Sequence, residues 1–373
     1  MKPLAAVILL ICFAVRFYPA DFMNVSEIKS GMKGYGLSVF KGWESERFDV
    51  EIIDVVKNFE PKGDVILARL KGNGLEDSGV IAGMSGSPVY IDGKLIGAVA
   101  FAWAYAKEPL CGITPIGEMI REKDNINTDY KNPLSIKDNQ LKNISTPLFI
   151  NGFTGEVRDY IKNYFENKLP DASYLVMNGG GGSSEFLPND GLKGGDAVAV
   201  NMMDGDYLAQ GIGTVTFVSN NDVYIFGHPM DLAGNTELPI SRSYIYSVIP
   251  SINISFKLGS SSKPVGAVVY DGKNGVYCRL KKEAAMIPVD VKIKNNGSEY
   301  KYSFRTVDNR NYFPTLASGA VSSSILNHSG YLDDKRINMN LIMNIEYQNK
   351  NYAVNNKFNY AFNPSYFDFG ILF

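Results

Sequence analysis

Residues 83–101 read Gly-Met-Ser-Gly-Ser-Pro-Val-Tyr-Ile-Asp-Gly-Lys-Leu-Ile-Gly-Ala-Val-Ala-Phe. Two apolar runs, Val89 to Ile91 and Leu95 to Phe101, flank Asp92-Gly93, the dipeptide that suits a tight hairpin because both central residues accept positive φ. An antiparallel pair is therefore expected here, entered through a glycine-flanked serine turn. Further strand-like runs lie upstream at Leu37 to Phe40, Phe48 to Val56 and Val65 to Leu70. Together they make a compact β unit, closed by a short helix expected over Ile116 to Glu122.

A polar stretch rich in Asn, Lys and Asp, from Glu122 to Asn143, reads as a linker. Val157, Tyr160, Ile161, Tyr164 and Phe165 recur at helical spacing within Thr154 to Asn167, with Thr154 as cap and Pro170 past the end. A second β-rich unit begins near Gly195 and passes Pro288. Its Gly211-Ile212-Gly213 entry, with Phe217 beyond, echoes Gly34-Tyr35-Gly36 and Phe40 in the first unit. From Ser298 onward, alternating runs such as Asn338 to Tyr347 indicate more antiparallel strands.

The whole chain of 373 residues is long enough for two domains with their own cores. Its 45% hydrophobic and 20% charged residues describe a folded protein, and 36 Gly with 22 Tyr and 21 Phe favour short strands and tight turns. A net charge of −2 with no basic cluster disfavours nucleic acid or anionic lipid as a partner. Gly179 to Gly182 is a surface loop rather than a phosphate cradle, since no Lys-Ser/Thr pair follows it.

Lys2 followed by the apolar run Leu4 to Val15 is an export signal, too short to span a bilayer comfortably, with cleavage expected after Ala20; bulky Tyr18 leaves an uncleaved N-terminal membrane anchor as the alternative. Beyond it only Cys111 and Cys278 remain, a pair or two separate buried thiols, and far too few for a disulfide scaffold.

A serine nucleophile needs its hydroxyl on an exposed turn and two backbone N–H groups converging on the oxyanion it creates. Ser85 fits, with the N–H groups of Gly83 and Ser85 as the oxyanion hole and Gly86 leaving room for the carbonyl. An ordinary inter-strand turn is the structural alternative. An α/β-hydrolase elbow fits less well, because Ser87 stands where that motif has glycine and a hairpin follows in place of a helix. The base must come from two histidines. His228, held between Gly227 and Pro229 after the run Tyr224 to Phe226, is the better candidate; His328 lies in a polar loop. No ligand set surrounds His228, so neither metal nor cofactor is expected.

The stretch from Gly79 to Met119, containing GMSGSP and CGITPIGEM, resembles the serine-bearing part of the SpoIVB-type sporulation peptidases, a family of chymotrypsin-like serine proteases. Gly211 to Pro239, with YIFGHP, looks like the histidine-bearing part, and Pro264 to Leu280 resembles a later segment of it. The resemblance implies a mostly β protein of two chymotrypsin-like β-barrels with a helical connector and a C-terminal β extension. Its parts would be a signal peptide or anchor (1–20), a serine-bearing barrel (28–123), a linker with one amphipathic helix (124–194), a histidine-bearing barrel (195–297) and the extension (298–373). It implies an exported serine endopeptidase acting on protein or peptide, with Ser85 as nucleophile and His228 as general base. Two departures stand out. The serine half precedes the histidine half, and the place of the family's acidic residue reads Ala68-Arg69-Leu70; Asp64, Asp77 and Asp231 are the substitutes at hand. A catalytically inactive peptide-binding or envelope scaffold on the same fold is the competing reading.

Overall fold

In the computed structural model the described residues are 22–60, 63–103, 105–126, 141–167, 174–179, 191–295, 297–329, 336–347 and 350–361. The export signal expected over 1–20, the Gly-rich loop beyond 179 and most of the linker expected over 122–143 lie outside them.

The first six strands close on themselves. They are β1 (Lys33–Ser38), β2 (Glu46–Glu60), β3 (Gly63–Lys71), β4 (Pro88–Ile91), β5 (Lys94–Trp103) and β6 (Leu110–Pro115). The antiparallel order is β4-β1-β2-β3-β6-β5, and β5 returns to β4 through the Asp92-Gly93 hairpin. Short helices α1 (Leu75–Ser78) and α2 (Ile116–Arg121) precede the serine loop and follow β6. Phe48 is fully buried because Gly36 opposite it leaves the space; a Cβ on Gly36 would overlap the ring. Burying such a ring contributes about 2–3 kcal/mol. A three-residue strand, β7 (Leu141–Asn143), is added to the free edge of β5.

After β8 (Thr146–Asn151), α3 (Gly155–Asn167) and β9 (Tyr174–Met177), a second six-stranded barrel forms. Its strands are β10 (Ala197–Gly205), β11 (Leu208–Ser219), β12 (Asp222–Ile225), β14 (Pro239–Ile249), β15 (Phe256–Gly272) and β16 (Gly275–Leu280), with the two-residue β13 (Gly234–Asn235) beside β15. The circuit runs β10-β14-β15-β16-β12-β11 and closes where β11 pairs β10. Here Gly213 admits the ring of Phe226 as Gly36 admits Phe48, so the echo between the two glycine pairs has the same packing cause. The expected mostly β architecture of two barrels is what the chain adopts.

The hairpin β17 (Met286–Asn295) and β18 (Ser298–Val307) extends the second sheet, and β19 (Arg336–Tyr347) pairs β20 (Lys350–Ala361). Between them the expected all-β extension is interrupted by α4 (Phe313–Ser329), which packs on α3, with Gly319 against Ile161. Its serines and alanines are buried on several faces, so no amphipathic stripe marks it in the sequence. His328 accordingly belongs to the last turn of a helix, not a loop, stacked on Tyr300 and bonded to the Tyr302 hydroxyl.

Candidate active site

Ser85 lies on the loop between α1 and β4, and two left-handed glycines shape that loop, Gly83 at φ +95° and Gly86 at φ +97°. The amides of Met84, Gly86 and Ser87 donate to Ile81, Val99 and Met84 carbonyls. Those of Gly83 and Ser85 donate to nothing among the described residues. Two unspent N–H groups flanking one hydroxyl are what an oxyanion hole requires. The Ser85 hydroxyl is itself fully buried and without a hydrogen-bond partner among the described residues. Buried polar atoms are nearly always paired, so an orphan of this kind marks either strain or chemistry.

The second barrel holds this loop from behind. Thr214 of β11 donates from its amide to Ser85 O at 2.8 Å and from its hydroxyl to Gly83 O at 2.8 Å, while the Thr216 hydroxyl reaches Gly86 O at 2.8 Å. Ala82 exchanges strand-like bonds with the start of β15, its amide donating to Ser255 O at 2.8 Å and its carbonyl accepting from Lys257 N at 3.0 Å. Gly86 presses so closely on β11 and on the histidine loop that a Cβ would sit on the Thr214 carbonyl oxygen and 2.6 Å from Phe226 N. No residue but glycine fits there.

Phe226 is two residues ahead of His228, so this contact brings the two candidate loops together. Phe226 and Gly227 both take positive φ, +68° and +73°, a conformation that costs a non-glycine residue about 1–3 kcal/mol. Thr114 of β6 secures the turn by donating to Gly227 O at 2.6 Å. His228 is 1% exposed; its Nδ1 lies 2.7 Å from Pro229 O. A carbonyl only accepts, so Nδ1 carries the proton and Nε2 is left with the lone pair a general base needs. Nε2 has no well-formed hydrogen bond, to Ser85 Oγ or to anything else among the described residues. Burial lowers the imidazole pKa to about 4, opposed by the backbone of Pro229 and of Ile144 facing the ring.

Asp271, at the end of β15, anchors the chain that follows the histidine. Its two oxygens accept from the amides of Met230 (2.8 Å), Asp231 (2.8 Å) and Ala233 (3.2 Å). Burial raises its pKa to about 6 in spite of those three donors. Of the other acidic candidates, Asp64 pairs with Lys57 near the surface, Asp77 lies in α1, and Asp231 accepts from the Tyr174 hydroxyl.

Lys257 was not legible as a site residue at all. Its stem lies against Gly83, with Cδ 3.3 Å from where a Cβ would stand, and Nζ reaches Ser38 Oγ (2.8 Å) and Thr214 Oγ1 (3.2 Å). Ser87 Oγ donates to the same Ser38 oxygen at 2.9 Å. Fully buried and facing hydroxyls rather than a carboxylate, the lysine has its pKa lowered by desolvation to about 7.

Serine loop and histidine loop thus meet at Thr214, while His328 lies in α4 in an aromatic setting. Cys111 and Cys278 are both free and buried, one in each barrel. A register signal for Lys257 was present but pointed the wrong way: alternation suggests Phe256 and Leu258 as inward residues, whereas Lys257 and Gly259 take that side. Asp271-Gly272 reads as a turn, yet Asp271 is a strand residue.

Comparison with curated proteins and with solved structures found no match. A family-level comparison reaches the serine half alone and stops short of His228: residues 18–119, from ahead of β1 into α2, match the model of the SpoIVB peptidase S55 family.

Proposed function

We propose that the chain is an exported serine endopeptidase of the SpoIVB type, acting by acyl transfer to Ser85 with His228 as general base. The observation that carries this reading is the convergence at Thr214 of two buried orphan atoms' loops, one bearing Ser85 Oγ and two unspent amides, the other His228 Nε2. Ser85 Oγ attacks the carbonyl carbon of a peptide bond while its proton passes to Nε2 of His228. The C–O⁻ so formed is received by the N–H groups of Gly83 and Ser85. The imidazolium then gives its proton to the departing amine, and water repeats the sequence on the acyl-enzyme, releasing the acid and restoring Ser85. The family match supports a polypeptide substrate, and the leader-like residues 1–20 support export.

One observation favours a second reading, a catalytically silent barrel pair that binds peptides or scaffolds the envelope. The Nδ1 partner of His228 is a neutral carbonyl, which orients the ring without stabilising an imidazolium as a carboxylate does. A fluorophosphonate probe separates the two. Labelling of the parent chain that vanishes in Ser85→Ala and falls about 100-fold or more in His228→Ala supports catalysis; label retained in Ser85→Ala refutes it.

A further inference from the structure

The edge of β5 nearest the serine loop is already taken. Val99 of β5 exchanges backbone bonds with that loop, accepting from Gly86 N (2.8 Å) and donating to Ser87 O (2.9 Å). The next residue, Ala100, touches the histidine turn, since a Cβ on Gly227 would stand 3.2 Å from Ala100 Cβ. Ala100 O also accepts from the amide of Ile144 at 2.9 Å. From there β7 runs antiparallel along β5, pairing Asn143 with Phe101, Lys142 with Ala102 and Leu141 with Trp103. On its other side the chain crosses at once to the second barrel, where β8 pairs β11, the strand of Thr214. A single segment therefore runs from the first barrel to the second, leaving β5 where Ala100 meets the histidine turn.

That is the path of an extended polypeptide bound by strand addition, in which main-chain bonds supply affinity and a side-chain pocket supplies choice. The side chain of Ile144 is held in this way: it is 4% exposed and belongs to the apolar cluster of the first barrel together with Val99 and Ile113. The backbone of Ile144 also faces the His228 imidazole. We propose that Leu141–Ile144 is a tethered occupant of the substrate site, that the site takes extended polypeptides carrying an aliphatic residue in the place of Ile144, and that the chain keeps the site closed until this strand is displaced. The proposal rests on the assignment of Ser85 and His228 for its catalytic meaning, but not for the occupancy itself.

The test uses the full chain. Ile144→Asp places a charge in the apolar pocket and should raise the rate of fluorophosphonate labelling at Ser85 at least about tenfold, with Ile144→Val near the parent. A second variant needs no destabilising change. Phe101→Cys with Asn143→Cys sits at a directly paired position of β5 and β7; oxidised, it should suppress labelling, and reduction should restore it. Binding of a labelled synthetic peptide, Gln-Leu-Lys-Asn-Ile-Ser-Thr (residues 140–146), is measured by anisotropy on Ile144→Asp combined with Ser85→Ala, and on Ser85→Ala alone. Binding to the first and not the second supports occupancy. Equal labelling rates in parent, Ile144→Asp and the oxidised pair overturn the proposal while leaving Ser85 as nucleophile. Peptide binding with no labelling of any chain overturns the peptidase assignment and leaves the occupancy standing. Neither binding nor labelling overturns both.

Discussion

Lys257 Nζ donates to Ser38 Oγ at 2.8 Å across the seam between the barrels, and no carboxylate among the described residues joins them. The ammonium is desolvated, and its pKa falls from 10.5 to about 7. Between those values the unfolded chain binds more protons than the folded one, so this residue makes stability rise with pH by about 1.4 kcal/mol per unit across that window. Lys257→Met should remove the slope and, by replacing an unpaired buried cation with an apolar stem, stabilise the protein at pH 7 by about 1–3 kcal/mol. Urea unfolding at pH 7 and pH 9 measures both quantities; an unchanged slope would mean the lysine is solvated.

Asp271→Ala removes the acceptor of three amides, the buried one of Met230 and the half-buried ones of Asp231 and Ala233. A loss of about 3 kcal/mol is expected. Ser85 labelling should fall with it because the segment after His228 loosens. Asp271→Asn retains one accepting oxygen and should lie between the two. Thermal melts by circular dichroism, run beside the labelling assay, give the ranking.

Two left-handed glycines offer a matched contrast. Gly86→Ala drives a methyl into the Thr214 carbonyl and toward Phe226 N, and should cost about 3 kcal/mol or more. Gly93, at φ +77°, has nothing within 4 Å of a built Cβ, so Gly93→Ala carries only the backbone penalty of about 1 kcal/mol. Denaturant midpoints that fail to separate the two would place the serine loop away from β11.

Burial holds the His228 pKa at about 4, well below the ordinary 6.5. A base must be neutral, so labelling of Ser85 in the parent should persist into acid and fall only near pH 4. Displacing Ile144 opens the ring to water, and in Ile144→Asp the acid limb should move up toward 6.5. Coincident limbs in the two chains would show that the strand does not shield the imidazole.

The fold was readable where local chemistry and global topology agree. Asp92-Gly93 turns between β4 and β5 as its composition demands, and the apolar spacing of Val157, Ile161 and Phe165 marks the buried face of α3. Legibility ends where burial overrides pattern. α4 hides serines against other helices and strands, and so carries no stripe. Lys257 occupies an inward register that any hydropathy reading assigns to its neighbours. The serine and histidine loops advertised themselves by glycine and proline, but Thr214, which joins them, is one more threonine in a strand. Strand residues that act through their backbone leave no compositional trace.

Because the bonds from Thr214 and Thr216 to the serine loop join one barrel to the other across a closely packed, buried contact, they are indifferent to which barrel is synthesised first. An ancestor with the opposite gene order would meet the same partners after folding. What such a rearrangement must change is the connecting polypeptide, and the last residues of it, Leu141 to Ile144, lie along β5 beside the histidine turn, where a by-product of chain order becomes a plug.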